Sequence, residues 1–235
     1  MAHTEKRIAI VPYHKYIEPM VMDSLRGLAA LGYTIRESGN VSDVARQRGI
    51  LASQALHEGY ERILWVDSDV IFDPEDALRM ESHGKEIVGG VCALRSATRF
   101  NCIFESNQIE VVFGEGGGLL KVVSVGTGFL STHRSVYEGI IKAGLVTECH
   151  GDEGHAVYPF FGHQCSTIGN RKDVLYLGED FSFCLRAKHA GFSIYVDTTV
   201  RLGHLGLHPF SWEDVITPVQ RYSTCVAKIR QEGDS

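Results

Sequence analysis

The sequence contains no run approaching the roughly 20 consecutive apolar residues that span a bilayer. None of its cysteines forms a CxxC pair, no long block carries charge of one sign, and only 6 of its 235 residues are proline. No repeat or low-complexity tract interrupts it. Each absence removes a class. Without a long apolar run no membrane-spanning helix is expected. The opening MAHTEKRIAIV passes from polar residues straight into a strand-like run, without the pattern of a signal peptide. A cytoplasmic protein is the expectation. The cysteines (Cys92, Cys102, Cys149, Cys165, Cys184, Cys225) follow no disulfide framework and suit reduced thiols. With 23 Lys and Arg against 29 Asp and Glu, net charge −6, there is no basic stripe for nonspecific nucleic-acid binding, which leaves open only a local groove for such a substrate.

What is present is the composition of a compact protein, 44% hydrophobic and 22% charged. A chain of this length buries about 70% of its unfolded surface on folding and needs no metal to complete a core. A bound metal would be functional.

The first 66 residues alternate strand and helix signals. Ile8 to Val11 is a short apolar run. Val21, Leu25, Leu28 and Ala29 recur at helical spacing with Gly32 as a stop, and Tyr33 to Glu37 reads as a second strand. Val44, Leu51, Ala52 and Ala55 form the next helical stripe, with Ser42 as its cap and Gly59 as its end. Arg62 to Val66 is the strongest strand of the chain. Strand, helix, strand, helix, strand implies an open α/β sheet. Further on, Asp73 caps a short helix, Ile87 to Cys92 is a strand, and 111–130 reads as a β hairpin about the glycines 116–118. A helix near Arg134 to Ala143 ends at Gly144. Residues 147–172 lack periodicity, as functional lids often do. Glu179 and Asp180 open another helix that stops at Gly191. Ile194 to Val196 and Val200 to Leu202 are short strands, and Thr217, Pro218 and Gln220 begin a last helix with Val219, Tyr222, Val226 and Ile229 on its apolar face. Trp212 reads as core. The whole chain, 1–235, is read as one domain: a nucleotide-binding half (1–90), an acceptor and catalytic half (91–208) and a C-terminal helix (209–235).

Chemistry concentrates in two strings. In ILWVDSDVIF, Asp67 and Asp69 follow a buried strand at the end where open α/β sheets bind ligands. Side chains two apart in an extended segment share a side, and two hard oxygen donors suit magnesium or manganese carrying a diphosphate. In the second string, residues 177–206, Glu179 and Asp180 sit at a helix start, where the dipole keeps a general base ionised. His204 offers an imidazole that shifts preference toward manganese, and His208 competes for that role.

These strings, with IAIVPYHKY, VARQRGILASQAL, VGTGFLSTHRSVYE and GHLG, stand in the order found in GT-A fold glycosyltransferases, which the chain resembles. The resemblance implies a Rossmann-like, mostly parallel sheet with helices on both faces and a small antiparallel acceptor-side portion. It implies sugar transfer from a nucleotide-sugar donor, a UDP-sugar foremost, to a hydroxyl of a sugar, protein, small molecule or modified base. Carried over by position, Pro12 and Tyr13 lie near the base and Arg46 near the pyrophosphate. Asp67 faces the ribose or the metal, while Asp69 and His204 bind a manganese or magnesium ion. Gly126, Thr127, Gly128 and Phe129 line the sugar and acceptor pocket, and Asp180, with Glu179 next, is the catalytic base. Gln47 and Arg48 replace the asparagine that the family often has after its helix-two arginine.

Two competing readings use the same residues. In a haloacid dehalogenase-like phosphotransferase Asp67 would be the nucleophile, but two βα units precede it and no downstream hydroxyl and lysine pair is evident. A non-catalytic nucleotide or metal-binding module would need no base at Asp180. Separately, Cys149, His150, His155, His163 and Cys165 are potential zinc ligands whose spacing fits no familiar finger.

Overall fold

The computed structural model describes residues 5–94, 99–106, 110–151, 154–206, 209–212, 215 and 223–228. In chain order the first half contains β1 (Arg7–Pro12), α1 (Pro19–Ala30), β2 (Thr34–Ser38), α2 (Val44–His57), β3 (Arg62–Val66), β4 (Val70–Ile71), α3 (Pro74–Ser82), β5 (Ile87–Gly90) and β6 (Cys102–Phe104). Then come β7 (Glu110–Gly114), β8 (Leu119–Val125), β9 (Phe129–His133), α4 (Arg134–Lys142), β10 (Cys149–His150), β11 (Ala156–Val157), β12 (Gln164–Ser166), β13 (Leu175–Leu177) and α5 (Glu179–His189). The last elements are β14 (Ile194–Asp197), β15 (Gly203–Leu205), β16 (Pro209–Phe210) and β17 (Thr224–Lys228).

The central sheet has eight strands in the order β2-β1-β3-β9-β5-β14-β8-β6. Only β9 and β8 run against the others, so the sheet is mostly parallel by strand direction. Period-two alternation sends the apolar residues of β1 and β3 to opposite faces. Ile8, Ile10, Ile63 and Trp65 pack with Leu51 and Ala55 of α2, Tyr137 of α4 and Phe183 of α5. Ala9, Val11, Leu64 and Val66 pack with Leu25 and Leu28 of α1 and Met80 of α3. The result is a three-layer α/β/α fold, as the near-continuous apolar run of β3 implies. No helix among the described residues is long and apolar enough to cross a membrane, and all six cysteines are free thiols.

Four local expectations are corrected. Asp43, not Ser42, caps α2, its carboxylate accepting from the Arg46 amide at 3.0 Å. The glycine-rich turn after β7 is present, but β7 and β8 do not pair: β8 lies between β14 and β6 while β7 pairs with β17. Inside the main sheet β8 pairs with β14 along Leu119–Val122 and with β6 along Val122–Val125, two partners where a hairpin offers one. Val200 and Leu202 are buried without strand pairing, and the strand falls instead on Gly203–Leu205. Residues 224–228 of the expected last helix form β17, in which Ala227 is buried opposite Val111. Thr217, Pro218, Val219, Gln220, Tyr222 and Ile229 lie outside the described residues.

Candidate active site

The chain turns from β1 to β2 on one side and to β3 on the other, which makes the carboxyl ends of β1 and β3 a topological switch point. Asp67 emerges there. The segment 67–69 is not extended as expected but forms a turn, with the Val70 amide donating to the Asp67 carbonyl at 3.2 Å. Three elements pin it. The Asp67 amide donates to the Gly128 carbonyl (2.9 Å), the Glu18 amide to the Ser68 carbonyl (2.9 Å), and the Leu205 amide to the Asp69 carbonyl (2.7 Å). The turn therefore sends the two carboxylates to different partners.

Asp67 meets Arg48. This arginine is 3% exposed, on the buried face of α2, and its guanidinium donates to Asp67 Oδ1 at 2.6 Å and to Glu179 Oε1 at 2.7 Å. Its Nε is buried with no hydrogen-bond partner. The two carboxylates offset part of the cost of burying this cation, and removing one of them would leave the rest uncompensated.

Asp69 meets His204. Antiparallel pairing of β15 with β4 sets His204 opposite Val70 and brings its Nε2 to 3.6 Å from Asp69 Oδ1. His204 Nδ1 lies 3.1 Å from the Ala93 carbonyl, which can only accept, so Nδ1 carries the proton. Nε2 is then the nitrogen that faces the carboxylate, the orientation that backbone carbonyls impose on metal-binding histidines. Among the described residues no three His, Cys, Asp or Glu side chains gather about one point. A carboxylate and an imidazole nonetheless fit manganese or magnesium, which take their remaining oxygens from water and substrate phosphates.

Asp180 lies in the first turn of α5 and accepts from the Phe181 amide through Oδ1 at 2.7 Å. Burial first, and then the charge of Glu179, push its carboxyl up to about 6. The cleft lined by Arg48, Asp67, Val70, Cys92, Leu94, Asn101, Gly126, Thr127, Gly128, Glu179, Asp180 and His204 has a volume of about 120 Å³. Its glycines leave no room for a side chain: a Cβ on Gly128 would stand 3.0 Å from Asp67 Oδ2, and one on Gly126 would stand 2.9 Å from Asn101 Nδ2.

Not every residue singled out from sequence reaches this cleft. Phe129 is fully buried and packs on Phe72 with ring centroids 4.6 Å apart, so its side chain belongs to the core. Pro12 ends β1 and Tyr13 follows it, both outside the lining; the Tyr13 ring lies against Gly39. Arg46 is exposed on α2, and the arginine in the cleft is Arg48. No sequence pattern marks Asn101, which also lines the cleft. It binds the Cys92 amide through Oδ1 (2.8 Å) and accepts the Gly126 amide at its carbonyl (2.7 Å), joining two walls of the cleft. Burial pushes the Cys92 thiol up, which keeps it neutral. His208 lies outside the described residues. Of the potential zinc ligands, His155 stacks on His57 and His163 on Tyr176, while Cys149, His150 and Cys165 are exposed.

No family model and no curated protein sequence matches the chain. Among solved structures, A197 from STIV aligns over 92% of this chain and 99% of its own length, with 15% identity and a TM-score of 0.55, a likeness of fold. A glycosyltransferase involved in the glycosylation of the major capsid of PBCV-1 aligns over 56% of this chain and 62% of its own, at 16% identity and a TM-score of 0.30. A UDP-glucose pyrophosphorylase complexed with UDP-glucose aligns over 89% and 94%, at 6% identity and a TM-score of 0.42. The last two overlaps are too loose to bear on chemistry.

Proposed function

We propose that the chain is a metal-dependent glycosyltransferase that moves a sugar from a nucleotide-sugar donor to a hydroxyl acceptor. One observation carries the reading: Asp69 and His204, distant in sequence, approach to 3.6 Å, and His204 also lines the cleft that holds Arg48, Asp67, Glu179 and Asp180. A manganese or magnesium ion held by Asp69 and His204 would neutralise charge on the departing nucleoside diphosphate.

The chain's own groups divide the remaining work. Arg48 engages Glu179, which leaves Asp180 as the proton acceptor. Because Asp180 Oδ1 accepts the Phe181 amide, Oδ2 is the atom aimed past Gly126. The acceptor oxygen attacks the anomeric carbon as its proton passes to Asp180 Oδ2, and the bond to the diphosphate breaks with its electron pair leaving on the diphosphate. A base raised to about 6 is ionised at neutral pH yet strong enough to take a proton. Asp67 and Glu179 are both held by Arg48, and direct displacement at the anomeric carbon is the course proposed. The same pairing weighs against phosphotransfer from Asp67.

The test is a thermal-shift screen of nucleoside diphosphates and UDP-sugars with and without manganese, followed by nucleotide-release assays on any hit. Stabilisation by one nucleotide that requires the ion is expected. Indifference to every nucleotide, or phosphate-ester hydrolysis dependent on Asp67, would overturn the proposal.

A further inference from the structure

The hairpin of β12 and β13 presents a surface that the cleft chemistry leaves unused. In β13, Leu175 and Leu177 turn inward to a cluster with Val123, Ile168 and Phe181. Tyr176, between them, faces outward and is 75% exposed; Val174, on the same face by period two, is 69% exposed. His163 lays its ring against that of Tyr176, with centroids 5.5 Å apart and planes 20° from parallel. The tyrosine ring is backed on one face and open on the other.

This hairpin is fastened to the catalytic helix. Gln164 Nε2 donates to the Ser182 carbonyl and Ser182 Oγ to the Leu177 carbonyl, both at 3.3 Å. Tyr176 and Asp180 are four positions apart, so their Cα atoms lie within about 14 Å of each other by chain length. Two exposed apolar side chains are far short of the roughly 800 Å² per partner that a stable protein interface uses. A pyranose ring suits the surface better, because its C–H face covers one exposed aromatic ring of this size.

We infer that Tyr176, backed by His163, is the stacking platform for a sugar ring of the acceptor, which makes the acceptor class a carbohydrate. The inference rests on the glycosyl-transfer reading and narrows it. The experiment is saturation-transfer NMR on the full chain with maltotriose, cellotriose and diacetylchitobiose, run beside the thermal shift with UDP and manganese. The wild type is expected to transfer saturation to ring protons of at least one of these sugars. Tyr176→Ala should weaken that contact roughly three- to tenfold, Tyr176→Phe should keep it, and both variants should retain the UDP–manganese shift. If the shift is present but no sugar binds, or Tyr176→Ala binds as the wild type does, the platform is refuted and the transferase reading stands. If the wild type shows no nucleotide shift, both fall. Sugar contact that persists in Tyr176→Ala and depends on another face also refutes the platform.

Discussion

His204 Nε2 stands 3.6 Å from Asp69 Oδ1 because β15 hydrogen-bonds to β4, and the Ala93 carbonyl fixes which imidazole nitrogen faces the carboxylate. Removing either side chain should therefore abolish manganese-dependent stabilisation by UDP without unfolding the chain. At a ligand concentration about a hundredfold above Kd the wild type should gain about 2.7 kcal/mol, or roughly 5–10 °C for a chain of this length. His204→Ala and Asp69→Asn should show no such gain while their metal-free Tm stays within a few degrees of wild type. A full shift in either variant would remove the pair from the metal site.

Asp180 yields a pH prediction with opposite signs for activity and stability. Burial, then Glu179, raise its carboxyl to about 6, so kcat/KM should rise with pH and level off above about 6. The folded state holds this proton more tightly than the unfolded chain. Stability from this group is therefore greatest in acid, falls as pH rises from about 4 to about 6, and is flat above, where a buried charge persists. Asp180→Asn should lower turnover by about 10²- to 10⁴-fold and raise stability at pH 7 by about 1–2 kcal/mol. Transfer kinetics and urea unfolding across pH 4–8 check both. A variant that is both slower and less stable at neutral pH would contradict the assignment of its raised carboxyl.

Arg48 ties the turn after β3 to the start of α5 through Asp67 and Glu179. Arg48→Met leaves two carboxylates facing the cleft without their cation. Breaking a fully buried pair costs about 3–5 kcal/mol; because Asp67 and Glu179 are partly exposed, about 2–3 kcal/mol is expected here. Arg48→Lys should recover only part of this, since one ammonium does not reproduce the two-pronged fork. In a double-mutant cycle Glu179→Gln should cost less in the Arg48→Met background than in wild type. Additive costs would deny the coupling.

Arg48 also shows what the sequence held in plain view. It lies four residues after Val44 and three and four before Leu51 and Ala52, inside the apolar stripe of α2, and a charge there must find buried partners. The strand Arg62–Val66, the helix stripes and the acidic start of α5 were readable because each depends on residues close in sequence. Pairings between distant segments were not. The insertion of β9 between β3 and β5 and the exchange of the β7–β8 hairpin for β7–β17 are decided by which buried partner is available. Val219, Tyr222, Val226 and Ile229 fit a helical period, but pairing with β7 decides the state of 224–228. Asn101 had no periodicity around it to give it away.

Gly126 and Asn101 supply the last test, of how tightly the cleft wall is built. A Cβ on Gly126 would lie 2.9 Å from Asn101 Nδ2 and 3.3 Å from Asp180 Oδ2. The Asn101 amide has little freedom to yield, because its Oδ1 binds the Cys92 amide and its backbone carbonyl accepts from Gly126. Gly126→Ala should therefore cost about 1–3 kcal/mol by overpacking and displace Asp180, lowering kcat more than it raises the donor KM. Asn101→Ala alone leaves the buried Cys92 N–H unpaired, a loss of about 1–3 kcal/mol. The double variant relieves the clash while incurring only the second loss, so its ΔΔG should fall well below the sum of the two. Urea unfolding of the four proteins reads this directly. A double variant as unstable as that sum would mean that Gly126 is not confined by Asn101.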